Sequence, residues 1–269
     1  MRTLGAAVAA CIAAVGCTRS SNVGDRHDPP WAPAVAIVRE PPQPPPPPLK
    51  PQRELLPDGR KTLVAEGGNG VEVYPPRDQG AKDAPLVVFL HATCMQPVDV
   101  CDFWNEGGRE ASFLVCPAGP SRCAGEPDWA GTPKVKASAL DAALNVVDAT
   151  FGPWIDRQRG DVLMGYSRGA FAARDILYEG TSRFRGLILL SASLSPEPAK
   201  LKAAGIRRAV MATGEMDGSR TTMLRAVDKL NAAGIPARFV SLGRIGHWLP
   251  QNLEGILREA IAWVEATES

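Results

Sequence analysis

From residue 59 onward, short uninterrupted apolar runs alternate with stretches in which apolar residues return every three or four positions. A run such as Leu86-Val87-Val88-Phe89-Leu90 has no polar face, so it predicts a strand covered on both sides. Ala111 to Cys116, Asp161 to Met164, Leu187 to Leu190, Ala209 to Ala212 and Arg238 to Leu242 are read the same way. Between them, Leu140, Ala143, Leu144, Val147 and Phe151 form one stripe of a helix over Val135 to Phe151. Further helices are predicted at Gly169 to Tyr178, Glu197 to Ala204, Arg220 to Ala233 and Leu253 to Glu265. Thr62 to Ala65 and Val71 to Tyr74 flank Glu66-Gly67-Gly68-Asn69-Gly70, which predicts an antiparallel hairpin at the start. Cys101 to Asn105 and Asp128 to Gly131 are expected in loops. This alternation predicts an α/β domain, a mostly parallel twisted sheet with helices on both faces.

Before residue 59 the pattern changes. Arg2 is followed by an uncharged apolar stretch, Leu4 to Val15. It is too short to cross ~30 Å of hydrocarbon as a helix but suits the core of an export signal. Ala14-Val15-Gly16 directly before Cys17 resembles a bacterial lipobox, with Ala14 where Leu is usual. That resemblance implies cleavage before Cys17, acylation of Cys17 and anchoring of the exported chain to a bacterial membrane. Twelve of the 25 prolines then lie between Pro29 and Pro57, leaving the remainder with ordinary globular composition. Pro41 to Pro48 favours a polyproline II rod. The expected organisation is a signal peptide over 1–16, a Pro-rich linker or stalk over 17–58, and one domain over 59–269.

Thirty basic residues against 29 acidic ones leave a net charge of +1, so no electrostatic footprint for nucleic acid exists. Composition also excludes a coiled coil, a wholly disordered chain and a polytopic membrane protein. Beyond Cys11 and Cys17 four cysteines remain, Cys94, Cys101, Cys116 and Cys123, and an even number in an exported domain predicts disulfides. Of the three possible pairings, Cys94–Cys101 with Cys116–Cys123 is preferred because it closes two short loops. Those spacings do not match the C-x₂₋₄-C pattern of zinc sites, so no metal is expected.

The most informative local pattern is Gly165-Tyr166-Ser167-Arg168-Gly169, a G-x-S-x-G pentapeptide. It follows the predicted strand Asp161 to Met164 at once and opens a predicted helix. A reversal this tight requires small residues two before and two after the serine, and it presents Ser167 Oγ above the carboxyl end of the sheet. In that setting the chain, over roughly Thr62 to Thr267, resembles the α/β-hydrolase family. The resemblance implies an α/β-hydrolase fold and a nucleophile, acid and base in that order, each after a later strand. Asp217, in Thr213-Gly214-Glu215-Met216-Asp217, occupies the acid position, with Glu215 as its neighbour and rival. His247, in Gly246-His247-Trp248, occupies the base position; the other two histidines, His27 and His91, fall in the linker and after an earlier strand.

By the same resemblance the oxyanion hole takes the backbone N–H of Arg168 and one from His91-Ala92-Thr93-Cys94, either Thr93 or Cys94, with Thr93 preferred. Ala92 stands where the family commonly has Gly. The Arg168 side chain either binds a substrate carboxylate or faces solvent. Trp104, Trp129 and Trp248 line a pocket or simply pack. Only Ser191 to Ile206 separates two strands where many relatives insert a cap, so an open site is expected. The chain is therefore read as a serine hydrolase of carboxylesterase type, acting on a small-molecule or polymeric acyl substrate through an acyl-enzyme, without cofactor. Acyl transfer, peptide cleavage, or a catalytically silent binding lipoprotein are the alternatives, and oligomeric state is left open.

Overall fold

The apolar runs pair into an eight-stranded sheet. In the computed structural model, residues 59–77, 83–180 and 183–266 are described, all within the unit Arg53–Ser269. The expected signal peptide, Cys17 and the Pro-rich stretch through residue 58 lie outside the described residues. Strands β1 (Lys61–Val64) and β2 (Gly70–Tyr74) form the expected hairpin. Strand β3 (Leu86–Leu90) leads through α1 (Pro97–Gly108) to β4 (Phe113–Pro117). A small antiparallel hairpin, β5 (Ser121–Cys123) with β6 (Glu126–Asp128), precedes α2 (Pro133–Phe151). The rest alternates: β7 (Asp161–Tyr166), α3 (Arg168–Tyr178), β8 (Phe184–Leu190), α4 (Pro198–Ala203), β9 (Arg208–Thr213), α5 (Arg220–Ala232), β10 (Ala237–Ser241) and α6 (Leu253–Glu265).

The sheet order is β1-β2-β4-β3-β7-β8-β9-β10, parallel from β4 to β10, with β2 antiparallel to both its neighbours. Alternation along each strand fills two cores. Leu86, Val88 and Leu90 of β3 face one core with α2, α3 and α5, whereas Val87 and Phe89 face the other with α1 and α6. Strands covered on both faces explain why the sequence shows continuous apolar runs rather than alternation.

Two sequence expectations are corrected. Cys101 to Asn105 belongs to α1: Pro97 opens the helix, Asp99 lies in its first turn, and Val100, Cys101 and Trp104 form its buried stripe. Gly107 is needed there, since a Cβ would run into the backbone of Glu254 in α6. The disulfides join Cys94 to Cys123 and Cys101 to Cys116, not Cys94 to Cys101 and Cys116 to Cys123. The helix decides this. It turns Cys101 onto the face packed against β4, where its Cα lies 6.7 Å from that of Cys116. Cys94 instead meets the β5–β6 hairpin, 4.9 Å from Cys123 by Cα, beside a hydrogen bond from Met95 N–H to Pro127 O of 3.4 Å.

Candidate active site

Ser167 sits at the junction of β7 and α3 with φ 52° and ψ −112°, a backbone conformation costing a non-glycine residue about 1–3 kcal/mol. Packing enforces it. A Cβ on Gly165 would strike the backbone of Gly169, and one on Gly169 would strike the carbonyl of Leu90. The Ser167 N–H donates to Leu190 O at 2.9 Å, fastening the turn to β8.

His247, in the loop after β10, brings Nε2 to 2.9 Å from Ser167 Oγ. On its other side Nδ1 lies 2.9 Å from Asp217 Oδ2, in the loop after β9. The side chains grade from a half-exposed imidazole (52%) to a buried carboxylate (4%). Backbone bonds tie the acid and histidine loops together: Glu215 N–H to Gly243 O at 2.9 Å and Met216 N–H to Ile245 O at 3.0 Å. Gly214 permits that approach, because a Cβ would meet the carbonyls of Ile245 and Gly246. Glu215, the alternative acid, accepts from Ser241 Oγ at 3.1 Å on an exposed edge; the structure brings Asp217, not Glu215, to His247.

Burial opposes the ionised form of Asp217, yet its carboxyl is held below the usual range by Ser219, Thr213 and His247. The Ser219 N–H donates to Asp217 Oδ1 at 2.8 Å, and a buried hydroxyl chain, Ser191, Thr213 and Ser219, runs behind it at 3.2 and 3.1 Å. Tyr166 stacks on the His247 ring with centroids 5.7 Å apart and donates from its hydroxyl to His247 O at 3.3 Å. Nothing in the sequence pattern alone singles out Ser219, Thr213 or Ser191 for these positions. Only Tyr166, inside the pentapeptide, carried a positional signal.

His91 is fully buried and both ring nitrogens are engaged. Nδ1 lies 2.7 Å from Ala92 O, and Nε2 accepts from Gly119 N–H at 3.0 Å, so the proton sits on Nδ1. Burial pushes its pKa down to about 4. His91 is a neutral clamp on the loop after β3. A trans peptide points its N–H opposite its C=O, so drawing Ala92 O toward His91 turns the Thr93 N–H the other way. Arg168 begins α3, where first-turn amides lack intrahelical acceptors. Its Nε is 3.3 Å from Thr93 Oγ1 and 4.0 Å from Asp128 Oδ1, so the side chain runs between the loop after β3 and the end of β6.

The tryptophans divide. Trp104 and Trp129 are core residues, 1% and 0% exposed, whereas Trp248 is 69% exposed and borders a cleft of about 510 Å³ lined also by Tyr166, so that the chain neighbours of both Ser167 and His247 reach it. A second cavity, of about 440 Å³, lies at the opposite ends of the strands, near Arg159, Lys202 and Arg207.

No family model matches the chain, and no curated protein matches it in sequence. Solved structures do. The fluorophosphonate-binding serine hydrolase F of Staphylococcus aureus superposes with a TM-score of 0.57 at 17% identity, over 78% of this chain and all (100%) of its own. The Bacillus cereus carboxylesterase gives 0.53 at 18%, over 73% and 93%. An esterase of Pyrobaculum calidifontis gives 0.58 at 16%, over 80% and 86%. The fold is that of the α/β-hydrolases. In this hydrolase fold Ser167, Thr93, Asp217 and His247 all follow the carboxyl ends of parallel strands, the edge where open α/β sheets collect ligands.

Proposed function

We propose that this chain is a serine hydrolase that cleaves a carboxylic ester through an acyl-enzyme. The observation that carries the reading is the continuous relay from Ser167 Oγ through His247 to Asp217, with both contacts at 2.9 Å. Its chemistry follows from those atoms. Ser167 Oγ attacks the ester carbonyl carbon while His247 Nε2 takes the hydroxyl proton. Asp217 accepts the Nδ1–H bond and stabilises the imidazolium by charge. The oxyanion forms between the backbone N–H groups of Arg168 and Thr93. Collapse expels the alcohol, which receives the proton from His247. A water molecule repeats the sequence on the acyl-enzyme and releases the acid.

One feature supports an ester among acyl bonds: esterases recur among the structures sharing the fold. The connection from β8 to β9 holds only the short helix α4, which suits small or extended substrates at an open site. Wild-type protein should hydrolyse short-chain 4-nitrophenyl esters, and Ser167→Ala should lower kcat to the uncatalysed background plus a residual of about 10³–10⁴-fold. Full activity in Ser167→Ala would refute the reading.

Export and lipid anchoring at Cys17 complete the proposal. The two disulfides support an oxidising compartment. Metabolic labelling with a palmitate analogue should mark the chain and be lost in Cys17→Ser; equal labelling of both would remove the anchor.

A further inference from the structure

We infer that the cleft lined by Tyr166 and Trp248 receives a cationic group, an amine or quaternary ammonium carried by the substrate. Its placement on the substrate rests on the serine-hydrolase reading; binding to the cleft does not.

Trp248 and Phe103 are 69% and 49% exposed, although two other tryptophans of the same domain are fully packed away. Both border the cleft, whose wall is completed by Tyr166, itself only 3% exposed and stacked on His247. Aromatic faces carry negative partial charge and attract cations, quaternary ammonium groups above all.

The ionised groups have the same preference. Asp99, in the first turn of α1, and Glu126, on β6, both line the cleft, and among the described residues no Lys or Arg does. Gln96 Nε2 donates to Glu126 Oε2, which holds that carboxylate in place. Arg168, next to Ser167 in sequence, is directed to Thr93 and Asp128 instead. For a purely apolar ligand, two carboxylates at the wall are a desolvation cost without return. An anionic ligand meets repulsion from both. A cation gains from the rings and the carboxylates together.

The site can be read without catalysis. Ser167→Ala protein is titrated calorimetrically, at low salt, with benzyltrimethylammonium, neutral benzyl alcohol and the phenylacetate anion. The cation is expected to bind at least about tenfold more tightly than the alcohol, with phenylacetate weakest. The preference should shrink in 0.5 M salt, where the screening length is only a few ångströms. In Asp99→Asn/Glu126→Gln the cation and the alcohol should bind alike, and in Trp248→Ala both should weaken; circular dichroism verifies that each variant is folded. Equal affinity for cation and alcohol, tighter binding of phenylacetate, or no binding by any of the three overturns the inference. Hydrolysis by wild type without a cation preference sinks this inference alone. Absence of ester hydrolysis, with the cation preference intact, sinks the hydrolase reading alone.

Discussion

Asp217 stays charged under burial because its surroundings replace water with donors: the Ser219 N–H, the hydroxyls behind it and the imidazole. Removing only that charge should therefore spare the fold and damage the chemistry. Asp217→Asn should lower kcat roughly 10³–10⁴-fold, by analogy with serine proteases. Glu215→Gln, altering a carboxylate bonded to Ser241, should leave kcat nearly unchanged. The reverse ranking would exchange the two roles. His91 makes a separate prediction. Its pKa is about 4 in the fold against an ordinary 6.5, so between those values the unfolded chain binds the extra proton. This contribution is complete above pH 6.5, declines as pH falls to 4, and amounts to about 3 kcal/mol. Denaturant unfolding at pH 7 and pH 4.5 should show a smaller loss for His91→Gln than for wild type; an equal loss would contradict the assignment. The sequence placed Ser167, Asp217 and His247 legibly because each follows a recognisable apolar run. Ser219, Thr213 and Ser191 were not legible, since a hydroxyl's role depends on which loop folds against it.

At the scale of elements, close approach sets the constraints. The β7–α3 turn admits no side chain at Gly169, where a Cβ would strike the carbonyl of Leu90. Gly169→Ala should lower unfolding free energy by about 1–3 kcal/mol, the usual cost of overpacking. Gly255, exposed in α6 with nothing within 4 Å, gives the contrast: Gly255→Ala should stabilise by about 0.5–1 kcal/mol. Denaturant melts of the two variants check both signs. Buried strands were legible as unbroken β-branched and leucine runs. Helix α1 was not, because its stripe of Val100, Cys101 and Trp104 is short and ends in Gly107-Gly108. That miss carried the disulfide error with it: in a loop, Cys94 and Cys101 look like neighbours, whereas the helix turns Cys101 away toward Cys116.

Across the whole domain, chain order and site geometry are linked by the sheet. The path from β3 to β4 and then over to β7 reverses the direction of strand addition, leaving a crevice at the carboxyl ends of β3 and β7. Thr93 and Ser167 flank that crevice, while β9 and β10 deliver Asp217 and His247 from the far side. His247 lies 80 residues from Ser167 and 30 from Asp217 in sequence yet contacts both at 2.9 Å, which only the assembled sheet can achieve. Ser167 is thus proposed as the one activated hydroxyl among the described residues. Reaction of the folded protein with a fluorophosphonate, followed by digestion and mass spectrometry, tests it directly. One adduct per chain, on the peptide containing Ser167 and lost in both Ser167→Ala and His247→Gln, is the predicted result. An adduct on another residue, or undiminished labelling in Ser167→Ala, would contradict it.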